Sequence, residues 1–63
     1  MLKPGERIFV DTRGIDNDFQ YTGFAFYCRA TTYIENFPPN THWIIVPGQI
    51  VETVPFEAIK KPE

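Results

Sequence analysis

The apolar residues Ile8, Phe9 and Val10 fall at consecutive positions, and the stretch that follows, TRGIDND over Thr12 to Asp18, is polar and rich in turn formers. The first pattern predicts a strand over Arg7 to Asp11. Because the strand is apolar at both parities, it is either buried on two sides or twists between core and rim. Lys3-Pro4-Gly5-Glu6 ahead of it predicts a turn, since Pro presets one turn position and Gly enters conformations closed to other residues. Gly14, Asp16, Asn17 and Asp18 make the second stretch a loop.

Six of the ten aromatic residues lie in the next segment, Phe19 to Ile34, FQYTGFAFYCRATTYI, which runs for sixteen residues without a proline. It is too long for an ordinary strand and too rich in Phe, Tyr and Thr for a helix, so it predicts a strand that bends to serve two sheets. The even positions Phe24, Phe26, Cys28 and Ala30 make a plausible core face. The odd positions Tyr21, Ala25, Tyr27, Arg29, Thr31 and Tyr33 make a half-polar one. Gly23, inside the strand pattern, predicts a bulge or sharp bend.

Glu35 to His42, ENFPPNTH, predicts a loop, because two successive prolines remove two backbone donors. Trp43 to Val46 predicts a third strand, Pro47-Gly48 a turn and Gln49 to Val54 a fourth strand. A Pro-Gly turn matches strand twist worse than the primed hairpin turns do, so these strands are expected to diverge or coil after it. Pro55 breaks the ladder. Phe56 to Lys60 predicts one helical turn leading into a short last strand, and Lys61-Pro62-Glu63 a frayed tail. The order predicts an all-β fold: a five-stranded SH3-like barrel with one short helical turn before the last strand, as a single domain over residues 1–63.

A chain of 63 residues buries only about 60% of its unfolded surface. Its lone Cys28 cannot close an internal disulfide, and one Cys with one His makes no zinc cluster. What remains to stabilise it is its aromatic content and association with a partner, including self-association. The net charge of −2 and the scattered Lys3, Arg7, Arg13, Arg29, Lys60 and Lys61 argue against nucleic acid as a main partner. No apolar run approaches the roughly 18 residues of a membrane span, and MLKPGERI lacks the apolar core of a signal peptide. These features point to a soluble, cytoplasmic chain, with which one unpaired Cys agrees.

GERIF, YTGFAFYC and PGQIVETVPFEAI resemble the first strand, the second strand and the close of the plasmid-type (type II) dihydrofolate reductases, short SH3-like chains that work as homotetramers around a central pore. The resemblance runs from Gly5 to Lys61. It implies a barrel fold and, by family analogy, a homo-oligomer that binds NADPH and a pterin in its pore. The family's active-site tetrapeptide, Val-Gln-Ile-Tyr, stands here as Val51-Glu52-Thr53-Val54, so only the first residue is kept. The family's Lys near the pore mouth has no counterpart at Phe9-Val10-Asp11. Carboxylates from Glu52 gathered around an axis would repel the anionic folate and NADPH.

Tyr21, Tyr27 and Tyr33 are candidates for an exposed aromatic face that takes a proline-rich peptide, or else they cover the barrel with hydroxyls at the rim. Trp43 beside His42 is a candidate partner anchor, or core packing under the Pro38-Pro39 loop. His42 has no nucleophile or orienting partner nearby in sequence and reads as a solvated loop residue. Cys28 reads as buried and inert. Asp11, Asp16 and Asp18 lack the distal Glu of a calcium loop and read as a hydrated acidic loop. Val51, Glu52, Thr53 and Val54 are candidate pore residues through the resemblance alone. No catalytic residue, metal site or cofactor is assigned. The expected function is a small non-catalytic interaction module that binds a protein partner or itself. A reductase-like oligomer is the alternative, and a nucleic-acid-binding barrel a weaker one.

Overall fold

The computed structural model describes residues 2–60. Five strands form one antiparallel sheet: β1 Arg7–Asp11, β2 Thr22–Ala30, β3 Thr41–Val46, β4 Ile50–Pro55 and β5 Ile59–Lys60, in the spatial order β4-β3-β2-β1-β5. The only helical pieces among the described residues are two 3-10 turns, Tyr33–Glu35 and Phe56–Ala58. The chain is thus all-β, with a helical turn ahead of its last strand as the pattern predicts. The expected fraying of Lys61-Pro62-Glu63 lies outside the described residues. Among those residues no helix is long and apolar enough to cross a membrane.

The core is one cluster: Ile8, Val10, Ala25, Tyr27, Ile44, Val46, Val54 and Ala58. Val54 on β4 and Val10 on β1 both belong to it, although three inter-strand steps, about 14 Å in a flat sheet, separate those strands. The sheet therefore curls, and its inner face packs against itself. This is compatible with a small barrel-like fold.

Cross-strand register sorts the side chains. Ile8 stands opposite Ala25, and Tyr27 opposite Ile44, all on the inner face. Phe9 stands opposite Phe24, and Phe26 opposite Ile45, on the outer face. Up to Tyr27 the inner face of β2 is therefore the odd one, the reverse of the sequence expectation for Phe24 and Phe26. Ala25 is fully buried, whereas Phe24 and Phe26 are 42% and 39% exposed. The reason is room, since the concave side of a curled sheet accepts Ala25 across from Ile8 but not a row of phenyl rings. The rings instead meet edge to face on the convex side, centroids 6.0 Å apart, with the Arg7 guanidinium 4.8 Å from the Phe24 centroid. Ile8 and Val10 point in and Phe9 points out, so β1 is apolar on both faces as its sequence suggests.

The register shift in β2 falls between Tyr27 and Arg29, not at Gly23. Cys28 is the extra residue of that bulge and is partly exposed, which corrects the expectation of a buried thiol. β2 stops at Ala30, so the long aromatic segment is not one strand: Tyr33 and Ile34 belong to a 3-10 turn that the sequence pattern did not reveal. Gly23 has another purpose. It holds φ at +154°, and a Cβ there would lie 2.8 Å from the Tyr21 hydroxyl. That hydroxyl folds across Gly23 to donate to the Phe24 carbonyl at 2.7 Å.

β3 and β4 do not diverge after Pro47-Gly48. They stay paired from Val46 opposite Ile50 to Thr41 opposite Pro55. The Gln49 N–H closes the turn on the Val46 carbonyl at 3.0 Å, with Gly48 at φ +96° and Gln49 at φ +64°. Gln49 lengthens the connection to three residues, and its left-handed conformation restores the strand twist that Pro-Gly alone lacks.

Gly23→Ala should destabilise the fold by about 2–4 kcal/mol, because it strains the backbone and displaces Tyr21. Gly48→Ala, strained but with open space around its Cβ, should cost about 1–2 kcal/mol. Urea unfolding of both variants measures the order, and equal costs would contradict the steric role of Tyr21.

Candidate functional site

Two loops frame a cleft beside the free edge of β4. The first joins β1 to β2. Its base is closed by Thr12, which is buried and accepts the Tyr21 N–H on Oγ1 at 2.8 Å. Asn17 Nδ2 donates to the Phe19 carbonyl at 2.7 Å and reaches the Thr53 carbonyl at 3.4 Å, which ties the loop across to β4. Phe19 stacks on Tyr21 with centroids 5.9 Å apart.

The second loop joins β2 to β3 and is organised by one carboxylate. Glu35 accepts both ends of the Arg29 guanidinium, at 2.9 and 2.8 Å. It also accepts the Thr32 N–H at 2.8 Å and the Trp43 indole N–H at 3.3 and 3.2 Å. These donors, Arg29 first and then Thr32, hold its pKa down to about 2. Phe37 sets its ring edge-on to Trp43, centroids 5.2 Å apart. Thr41, buried at the start of β3, shares a 2.7 Å hydroxyl contact with Thr31 and lies 2.9 Å from the Pro38 carbonyl.

Between the loops lies a cleft of about 430 Å³. Phe19, Phe37 and Pro38 supply its apolar wall, and the carboxylates of Asp16, Asp18 and Glu52 supply its charge. No Lys or Arg lines it. Among the described residues no group of three or more His, Cys, Asp or Glu is placed to hold a metal ion.

The candidate residues from the sequence scatter around the sheet. Tyr27 is buried in the core, Tyr33 is 92% exposed on the 3-10 turn, and Tyr21 is half-buried against the core, so the three do not share an exposed face. Trp43 and His42, adjacent on β3, point to opposite faces. Trp43 packs half-buried under the β2–β3 loop, beside Phe37. Of the tetrapeptide, Val54 is in the core, Val51 is half-exposed on the outer face, and Glu52 and Thr53 line the cleft. Sequence reasoning passed over Phe19, Phe37 and Pro38. The available signal was an isolated aromatic at the end of one polar loop and another in the middle of the next, where a loop gains nothing by carrying one unless it packs on something.

His42 is a strand residue rather than a solvated loop residue. Its ring lies between Tyr27 and Phe56, with centroids 5.6 and 5.4 Å away, and its Nδ1 is 2.8 Å from the Tyr27 hydroxyl. Burial lowers its pKa from the ordinary 6.5 and raises that of Tyr27. Both groups are therefore neutral at pH 7. With the imidazole proton on Nε2, Nδ1 accepts from the hydroxyl.

Comparison with protein-family models, with curated proteins and with solved structures gives no match.

Two titrations test this geometry. The unfolded chain binds a proton on His42 more readily than the folded one, so stability should fall as pH drops through about 6.5. Urea midpoints from pH 7.5 to 5.5 should show that slope, and His42→Gln should flatten it. Glu35 contributes stability that is complete above its ordinary pKa of 4.5 and lost as pH falls toward about 2. The Trp43 emission should change across that window, and Glu35→Gln should show the acid-form spectrum already at neutral pH.

Proposed function

We propose that the protein is a small non-catalytic binding module whose cleft takes a basic, extended segment of a partner protein. One observation carries this reading: Asp16, Asp18 and Glu52 line the cleft together with Phe19, Phe37 and Pro38, and no Lys or Arg does. Apolar surface supplies affinity for prolyl or aliphatic side chains, and the acidic rim selects Lys or Arg beside them. The walls are held in place before any ligand arrives, by Asn17 on one side and by Glu35 and Thr41 on the other. Preorganisation of this kind reduces the ordering entropy lost on binding. The open side of the cleft suits an extended chain better than a compact small molecule. His42, the chain's one histidine, has its Nδ1 engaged by Tyr27 in the core.

Titration of a peptide that alternates Lys or Arg with Pro and Leu, followed by backbone NMR shifts, tests the reading. Saturable binding with shifts at residues 16–19, 37–38 and 52–53 is the expected result, weakening in raised salt. Asp16→Asn with Asp18→Asn should reduce affinity about tenfold, the scale of one or two lost charge contacts. The reading is wrong if the peptide shows no saturation at millimolar concentration. It is equally wrong if an acidic peptide of the same pattern binds as well. Saturable NADPH binding by an oligomer, without peptide binding, would favour the reductase-like alternative built on Val51 to Val54.

A further inference from the structure

The convex face of the sheet carries apolar side chains that nothing among the described residues covers. Phe9, Phe24 and Phe26 are 38%, 42% and 39% exposed, and Val51 is 51% exposed. Register groups the three rings on neighbouring strands: Phe9 stands opposite Phe24, with Phe26 next along β2, while Ile45 and Val51 continue the apolar row farther round the curl. The three rings expose roughly 250 Å² as one patch, close to the size at which an exposed apolar patch on a monomer is often functional.

The charges at its border are self-complementary. Arg7, Phe9 and Asp11 share the outer face of β1, in the order cation, ring, anion. Arg7 makes no salt bridge among the described residues, and its guanidinium lies over the Phe24 ring rather than out to the side. Asp11 is held ionised by Arg13, whose hydrogen bonds depress its pKa strongly.

We propose that this face pairs with the same face of a second copy of the chain. The two-fold axis lies in the interface and runs across the strands, so that β1 of one copy runs antiparallel over β1 of the other. That arrangement lays the aromatic rows on each other and brings Arg7 toward the partner's Asp11, twice by symmetry. Lys60 flanks Phe9 on β5, but its ammonium turns aside to the Glu57 carbonyl at 2.9 Å. The buried area, roughly 500 Å² in total before rim contacts, falls below the ~1,200 Å² at the low end of stable interfaces. The dimer is therefore weak, with a dissociation constant on the order of 100 µM. The face shares no residue with the cleft, so self-association and peptide binding stand or fall separately.

Sedimentation equilibrium from 10 µM to 1 mM, numbers set by the order of magnitude of that constant, tests the proposal. The mass should rise from monomer toward dimer. Phe26→Asp, on the exposed face, should abolish the rise while leaving the circular dichroism unchanged. Arg7→Glu and Asp11→Lys should each weaken association about tenfold, because each sets like charges against each other across the axis. An equimolar mixture of those two variants should associate more tightly than either alone, since across the axis the two introduced charges are opposite in sign and so are the retained Arg7 and Asp11. A monomer at 1 mM, a dimer unaffected by Phe26→Asp, a mixture no tighter than its parents, or an assembly larger than a dimer would each overturn the proposal.

Discussion

A single sheet that, among the described residues, has no α-helix or second sheet behind it must supply both walls of its own core, and that requirement shapes the whole molecule. The inner face has to be narrow enough to close on itself, so its buried cluster is made of Val, Ile and Ala with one aromatic, Tyr27. A row of phenyl rings does not fit on that side. Phe9, Phe24 and Phe26 go to the convex face, where there is room for them and where they stay 38–42% exposed. The same curl brings β4, with Val54, against the core residues of β1 and leaves its outer edge for the two long loops to frame. Core, outer patch and cleft thus follow from one geometric condition on a short chain.

Much of the fold is legible in the sequence because turns announce themselves. Lys3-Pro4-Gly5-Glu6 and Pro47-Gly48 mark the start of β1 and the β3–β4 connection, and Val54-Pro55 marks the end of β4. The strand at Arg7–Asp11 and the helical turn at Phe56–Ala58 lie where patterning puts them. The faces of β2 are not legible in the same way. Phe24 and Phe26 alternate with Ala25 and Tyr27, and either set satisfies a two-residue period. Only the available volume decides between them, and volume belongs to the assembled sheet. The setting of His42 is illegible for a related reason. A lone histidine after a proline-rich loop gives no sign that a tyrosine fifteen residues earlier will be waiting for it.

The cleft was harder still to anticipate, since its two walls come from loops far apart in sequence and its acidic groups look like ordinary hydrated loop residues. What makes them a site is the convergence of Asp16 and Asp18 with Glu52 around Phe19 and Phe37. Glu35 also looked like a loop residue. In the folded chain it is the point where a strand, a turn and an indole meet.

Cys28, the extra residue in β2, divides that strand into two halves of opposite phase. Up to Tyr27 the odd positions face inward. After the bulge Arg29 faces outward and Ala30 inward, opposite Trp43 and His42. Only in this second phase can Arg29 reach Glu35 from the outer surface. A deletion of one residue here would cost little in composition, yet it would carry Arg29 to the core side and strip the β2–β3 loop of its brace. The length of the segment between Tyr27 and Arg29 is therefore under tighter constraint than the identity of the residue that fills it, and a thiol is acceptable there because the position asks for a backbone unit rather than a side chain.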